Sequence, residues 1–122
     1  MKAATDLQMP SDLRGLLEEA LQRIIEVARP QAVILFGSHA EGRARVGRDL
    51  DFLIVADTEE TGKLEADLYG AMADLARGRW HEFPSVDIIV LTPAEYEYEA
   101  QLPGLTIWRV HRHGVVLYGR AA

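Results

Sequence analysis

The stretch VILFGSHAEGRARVGRDLDFLIV, residues Val33–Val55, decides the fold. An apolar run stops at Gly37-Ser38. Ten residues follow, Arg43, Arg45 and Arg48 among them, and Asp49-Leu50-Asp51 then opens a second apolar run. Short apolar runs bounded by glycine and charge predict buried strands, here Ala32–Phe36 and Leu50–Val55. The gap between them is too short for a long crossover helix. It predicts an antiparallel pair joined by a helical turn plus loop over residues 38–48.

Successive side chains on a strand point to opposite faces. Asp49 and Asp51 therefore share one face, and Leu50, Phe52 and Ile54 share the other. Leu53 and Val55 lie farther along the aspartate face, so both faces are covered and the strand reads as central. Asp87 is a second charge in an apolar setting, inside the expected strand Val86–Leu91. An unpaired buried carboxylate costs several kcal/mol. If the third strand lies beside the second, Asp49, Asp51 and Asp87 converge and repel. Each aspartate alone reads most simply as a turn or capping residue, but the three together favour a metal site. Oxygen-only ligands select Mg²⁺, with Mn²⁺ as the alternative, over Zn²⁺.

Gly37 lets the chain bend sharply and lets a phosphate approach the backbone. The Ser38 hydroxyl and the N–H groups of a helix start favour an anion. Arg43, Arg45 and Arg48 can reach phosphate or offset the carboxylates. The same residues also fit a plain hairpin connection with solvated arginines. No Gly-Lys-Ser/Thr is present, so this is not a Walker loop. A phosphate cradle a few residues from a two-metal carboxylate site specifies nucleotidyl transfer. Two metals activate an attacking oxygen and stabilise the pyrophosphate that leaves a nucleoside triphosphate.

The rest of the chain supplies the frame. Residues 11–28 read as a helix capped by Ser11, with Leu13, Leu16, Leu17, Leu21, Ile24 and Ile25 on one face and Pro30 ending it. A second helix is expected over residues 63–76, with Gly78 past its end. Thr92-Pro93-Ala94-Glu95 matches a capping box with proline at the first helical position. Residues 105–113 form the last expected helix, stopped by Gly114, and residues 115–118 a terminal strand. The order predicts one α+β (α/β) domain over residues 1–122, a small mixed sheet flanked by helices.

The 122 residues carry a net charge of −6 and no cysteine. Disulfides and thiolate metal sites are excluded. The acidity argues against nucleic acid as the main partner, because phosphate neutralisation supplies most non-specific affinity. No run is long enough for a membrane span, and residues 1–13 lack the apolar core of a signal peptide, so a cytoplasmic protein is expected. His111 and His113 diverge on a helix and read as a solvated basic face with Arg109 and Arg112. Tyr96 and Tyr98 read as packing residues before modification sites, and Trp80 and Trp108 as core or interface anchors.

Gly37, Ser38, Asp49, Asp51 and Asp87 together resemble the signature of the polymerase β-like nucleotidyltransferases: Gly-Ser, about ten residues, Asp-x-Asp, then an acidic residue on a later strand. The small size is similar to the minimal nucleotidyltransferases of that superfamily, and so is the closing HGVVLYGR. The resemblance implies that Gly37 and Ser38 hold the triphosphate of ATP, with Arg43 and Arg48 in support. It implies that Asp49 and Asp51 ligate two Mg²⁺ ions and that Asp87 completes the site as ligand or base. It also implies a partner, a small helical HEPN-domain toxin, which the chain would neutralise by transferring AMP to a tyrosine. The sequence departs from the usual pattern at His39, Glu41 and Arg48, all outside the metal ligands. A non-catalytic binding antitoxin and a small-molecule (antibiotic-type) nucleotidyltransferase are the alternatives, and a homo-oligomer is compatible with the chain.

Overall fold

The computed structural model describes residues 1–42 and 49–120. Five strands form one mixed sheet in the order β1-β5-β2-β3-β4. They are β1 (Lys2–Ala3), β2 (Ala32–Phe36), β3 (Leu50–Val55), β4 (Val86–Leu91) and β5 (Val115–Gly119). The helices are α1 (Ser11–Ala28), α2 (Thr61–Ala76), α3 (Pro93–Glu99) and α4 (Thr106–His113). The α+β class expected from the sequence is the one observed. Among these residues no helix is long and apolar enough to cross a membrane.

The two strands of the opening stretch pair antiparallel, with Leu35 opposite Phe52 and Phe36 opposite Asp51. Helix α2 carries the chain from β3 to β4, which runs parallel to β3 with Asp51 opposite Asp87. The alternation of β3 then divides two cores. Leu50, Phe52 and Ile54 join Val33 and Leu35 under Leu13, Leu17 and Ile24 of α1 and Leu68 and Met72 of α2. Leu53 and Val55 join Ile34 beneath Tyr96 of α3 and Ile107 and Val110 of α4. A strand covered on both faces must be apolar nearly throughout. That explains the greasy run into which Asp51 is set.

Helix α1 has the expected span, but its start is built otherwise. Pro10 occupies the N-cap position and no side chain caps the helix; Ser11 is the first helical residue. Proline suits that place because its fixed φ and missing N–H cost a helix start nothing. Helix α3 has the predicted box: Glu95 N–H donates to the Thr92 hydroxyl at 3.1 Å, and Thr92 N–H to the Glu95 carboxylate at 2.9 Å. The two-residue β1, parallel to β5, is an addition the sequence did not announce.

At the far edge of β5, Gly119 has φ +75°, and a Cβ there would lie 1.9 Å from the Gln31 carbonyl oxygen. Gly119→Ala combines left-handed strain with a clash against backbone that cannot step aside. It is expected to lower stability by about 2–4 kcal/mol. An unchanged urea midpoint would contradict this close approach.

Candidate active site

One end of the sheet gathers the residues that the sequence singles out. Asp51 is the second residue of β3, flanked in register by Phe36 on β2 and Asp87 on β4. Neighbouring strands lie about 4.8 Å apart, so same-face carboxylates at one level approach each other closely. Gly37 follows Phe36 with φ +79°, and a Cβ on it would lie 2.2 Å from Asp51 Oδ2. Glycine at this position therefore serves two needs: a left-handed turn, and room for the Asp51 carboxylate where a side chain would stand.

The Asp51 carboxyl is pushed up to about 6, first by burial, then by its hydrogen bond with Asp87 and by the charges of Asp87 and Asp49. Like charges at close range cannot both ionise freely, so the neighbouring carboxylates disfavour the charged form of Asp51. Asp49, just before β3, is exposed. So is Asp87, which corrects the expectation of a buried charge. Strand β4 is the edge of the sheet, and its opening end faces solvent. The desolvated member of the trio is Asp51.

Among the described residues no three His, Cys, Asp or Glu side chains form a ready-made metal cage. The donor set is the neighbouring pair Asp51 and Asp87, with the Asp49 charge acting on the first. Its chemistry fits a divalent cation of the Mg²⁺ type. The ligands are hard oxygens, few enough to leave coordination positions for waters and phosphates.

The Gly-Ser segment forms a single helical turn. Glu41 N–H donates to the Gly37 carbonyl at 3.1 Å, and Gly42 N–H to the His39 carbonyl at 3.4 Å. Ala40 packs into the core under α1, and the Lys2 amine donates to the Ala40 carbonyl at 2.9 Å. His39, a departure from the usual pattern, is the one polar residue buried among those described, at 8% exposure. On the other side the Arg109 guanidinium forks onto Glu41, with Nε to Oε2 at 3.1 Å and Nη2 to Oε1 at 2.5 Å. A cavity of about 180 Å³ between the turn and α4 is lined by Gly37, Glu41, Thr106, Arg109 and His113 along with apolar neighbours.

Gly37, Ser38, Asp49, Asp51 and Asp87 therefore meet at one sheet end, while Arg43, Arg45 and Arg48 lie outside the described residues. Glu41 and Arg109 were missed as a pair because 68 residues separate them and no periodicity links them. Away from this end, Tyr96 is buried as expected, with its hydroxyl 2.6 Å from His111 Nδ1. Burial pushes that hydroxyl up to about 12. Tyr98 departs from the packing expectation, at 67% exposure, and Trp80, at 64%, takes the interface side of its core-or-interface reading. Trp108 is half-buried, with the Arg112 guanidinium 4.4 Å from its ring centre.

Among solved structures, the chain is similar to a crystal structure of a toxin–antitoxin with AMP-PNP. The two are 18% identical, with a TM-score of 0.47, over 84% of this chain and 73% of the other. No curated protein sequence matches. The family profile described as "Polymerase beta, Nucleotidyltransferase" matches residues 19–121, which span the turn, the three aspartates and every core strand but β1. The chain belongs to the polymerase beta nucleotidyltransferase family.

Proposed function

We propose that the protein transfers a nucleoside monophosphate, AMP by preference, from the triphosphate to a hydroxyl of a protein partner. The observation that carries this reading is the Asp51 carboxylate lying where a Cβ of Gly37 would stand, with Asp87 beside it in register on β4. It brings the Gly-Ser turn next to a pair of carboxylates.

In this reading Asp49 and Asp51 hold two Mg²⁺ ions, Mn²⁺ serving as a substitute, and Asp87 faces the acceptor. The ions, when bound, supply charge neutralisation for the attacking and leaving oxygens. The Gly37-Ser38 turn grips the β- and γ-phosphates of ATP with backbone N–H groups and the Ser38 hydroxyl. The acceptor oxygen forms a bond to the α-phosphorus as the bond from that phosphorus to the bridging oxygen breaks. Pyrophosphate departs with the electron pair, and the hydroxyl proton passes to the exposed Asp87 carboxylate and on to solvent. Because Asp87 lies at the sheet edge, a macromolecular acceptor can reach it without entering a cleft.

The partner in this reading is a small helical protein of the HEPN toxin type, modified on a tyrosine and so neutralised. One feature supports a protein acceptor. Trp80 stands exposed on a groove of about 280 Å³ shared with Tyr69, Met72, Phe83 and Val86, the residue before Asp87. Exposed aromatic area of this kind marks interaction surfaces. The test is intact-mass measurement on whatever small protein co-purifies with the chain, after incubation with each nucleoside triphosphate and Mg²⁺. A gain of one nucleoside monophosphate on a tyrosine is expected, largest with ATP. An unchanged mass with all four would overturn the protein-acceptor reading.

A further inference from the structure

The turn that follows β2 carries a carboxylate where a polyanion is to bind. Glu41 lies one helical turn beyond Gly37, its N–H bonded to the Gly37 carbonyl, and its side chain is only 13% exposed. A carboxylate held that close to the Gly37-Ser38 end raises the electrostatic cost of placing a triphosphate there, and partial burial weakens the screening that would relieve it. Arg109 answers this charge. Its position on α4 is fixed from below, since Ile107 and Val110 on either side of it are buried in the core against the sheet. From that anchored helix the guanidinium reaches Glu41 through two parallel N–H bonds. Both residues line the cavity that Gly37 borders. The ion pair has one foot on the turn and one on the rigid body of the domain.

We propose that Arg109 is the built-in counter-ion of the triphosphate-binding turn, a positioning residue that masks Glu41 so that a nucleoside triphosphate can be accepted. The inference rests on the nucleotidyl-transfer reading and adds a specificity-determining pair to it. Glu41 also competes with the phosphates for the Arg109 guanidinium, so the pair sets the affinity of the turn. Arginine suits the role because its planar fork holds a carboxylate by two bonds and still leaves N–H groups for another oxygen; a lysine supplies charge without the fork.

The test is binding of ATP, and of inorganic tripolyphosphate as a probe free of base preference, by titration calorimetry with Mg²⁺ at low and high salt. Arg109→Ala is expected to weaken binding of both probes roughly tenfold at low salt, with the loss shrinking as salt screens the unmasked carboxylate. Glu41→Gln is expected to tighten binding by roughly threefold, the freed guanidinium turning to phosphate. The double variant Arg109→Ala/Glu41→Gln is expected to bind within about threefold of wild type, as charges that act on each other are not additive. Arg109→Lys should fall between wild type and Arg109→Ala. All four variants change exposed or rim side chains, and thermal melts check that each is folded. Unchanged binding by Arg109→Ala, or failure of Glu41→Gln to restore it in the double variant, overturns the proposal. If wild type and variants bind in the expected order yet no nucleotidyl transfer occurs, the enzymatic reading fails and the counter-ion role stands. No binding of either probe by the wild type overturns both.

Discussion

Asp51→Asn is expected to stabilise the metal-free protein at pH 8 while reducing nucleotidyl transfer at least about 10³-fold, equivalent to about 4 kcal/mol of barrier. The two effects have one cause. The folded-state pKa of Asp51 is raised from 3.8 to about 6 by burial and by Asp87 and Asp49. Between those values the folded protein binds a proton that the unfolded chain has released. Asp51 thus contributes its stability fully below about pH 4, and that contribution is lost as pH rises through about 6. Asparagine keeps the shape and removes the charge, so at pH 8 the variant escapes a penalty the wild type bears. Asp51 is more than half solvent-screened, and the gain is on the order of 1 kcal/mol or less. At pH 4 the two proteins should melt alike. Added Mg²⁺ should raise the melting temperature of the wild type and leave the variant unmoved, because the cation relieves the charge that burial and the neighbouring carboxylates penalise on Asp51. Melting curves at the two pH values, with and without Mg²⁺, check the account; a variant less stable than wild type at pH 8 would contradict it.

Gly37→Ala is the second large effect. The methyl group would fall 2.2 Å from Asp51 Oδ2 on a residue with φ +79°. The backbone strain costs about 1–2 kcal/mol and the overpacking about 1–3 more. The expected result is a stability loss of about 2–5 kcal/mol. Transfer should collapse as well, because any relief of the clash moves Asp51 out of register with Asp87. Gly42 supplies the control within the same turn. It also has positive φ, at +71°, but a Cβ there meets nothing within 4 Å. Gly42→Ala should therefore carry the strain alone, about 1–2 kcal/mol, and retain most activity. Equal activity losses at the two positions, measured beside urea midpoints, would show that the turn's flexibility and not the Asp51 contact matters.

Much of this was legible in the chain because periodicity reports local environment. The alternation around Asp51 identified a strand covered on both faces, and the two cores confirm it. The short gap after Phe36 dictated an antiparallel pair, and Asp87 in an apolar run pointed to the neighbouring strand. What escaped depends on the order of strands and on contacts distant in sequence. That β4 is an edge strand, leaving Asp87 exposed, follows from the sheet order and not from VDIIVL itself. Strand β1 is two residues long, too short for any periodic signal. Pro10 outcompetes Ser11 at the start of α1 through backbone geometry, where side-chain chemistry pointed to the serine. The Glu41–Arg109 fork joins a loop to a helix that chain reading had assigned to separate roles.

The most direct test of a nucleotidyl-transfer site at Gly37, Asp51 and Asp87 is label transfer. The wild type and Asp49→Ala/Asp51→Ala are incubated with Mg²⁺ and a lysate of the protein's own source, once with α-labelled and once with γ-labelled ATP. A small protein band labelled from the α position only, and absent with the variant, is the predicted result. No α-label in any band while the wild type still captures a small partner would contradict it, and would leave a protein that acts by binding alone.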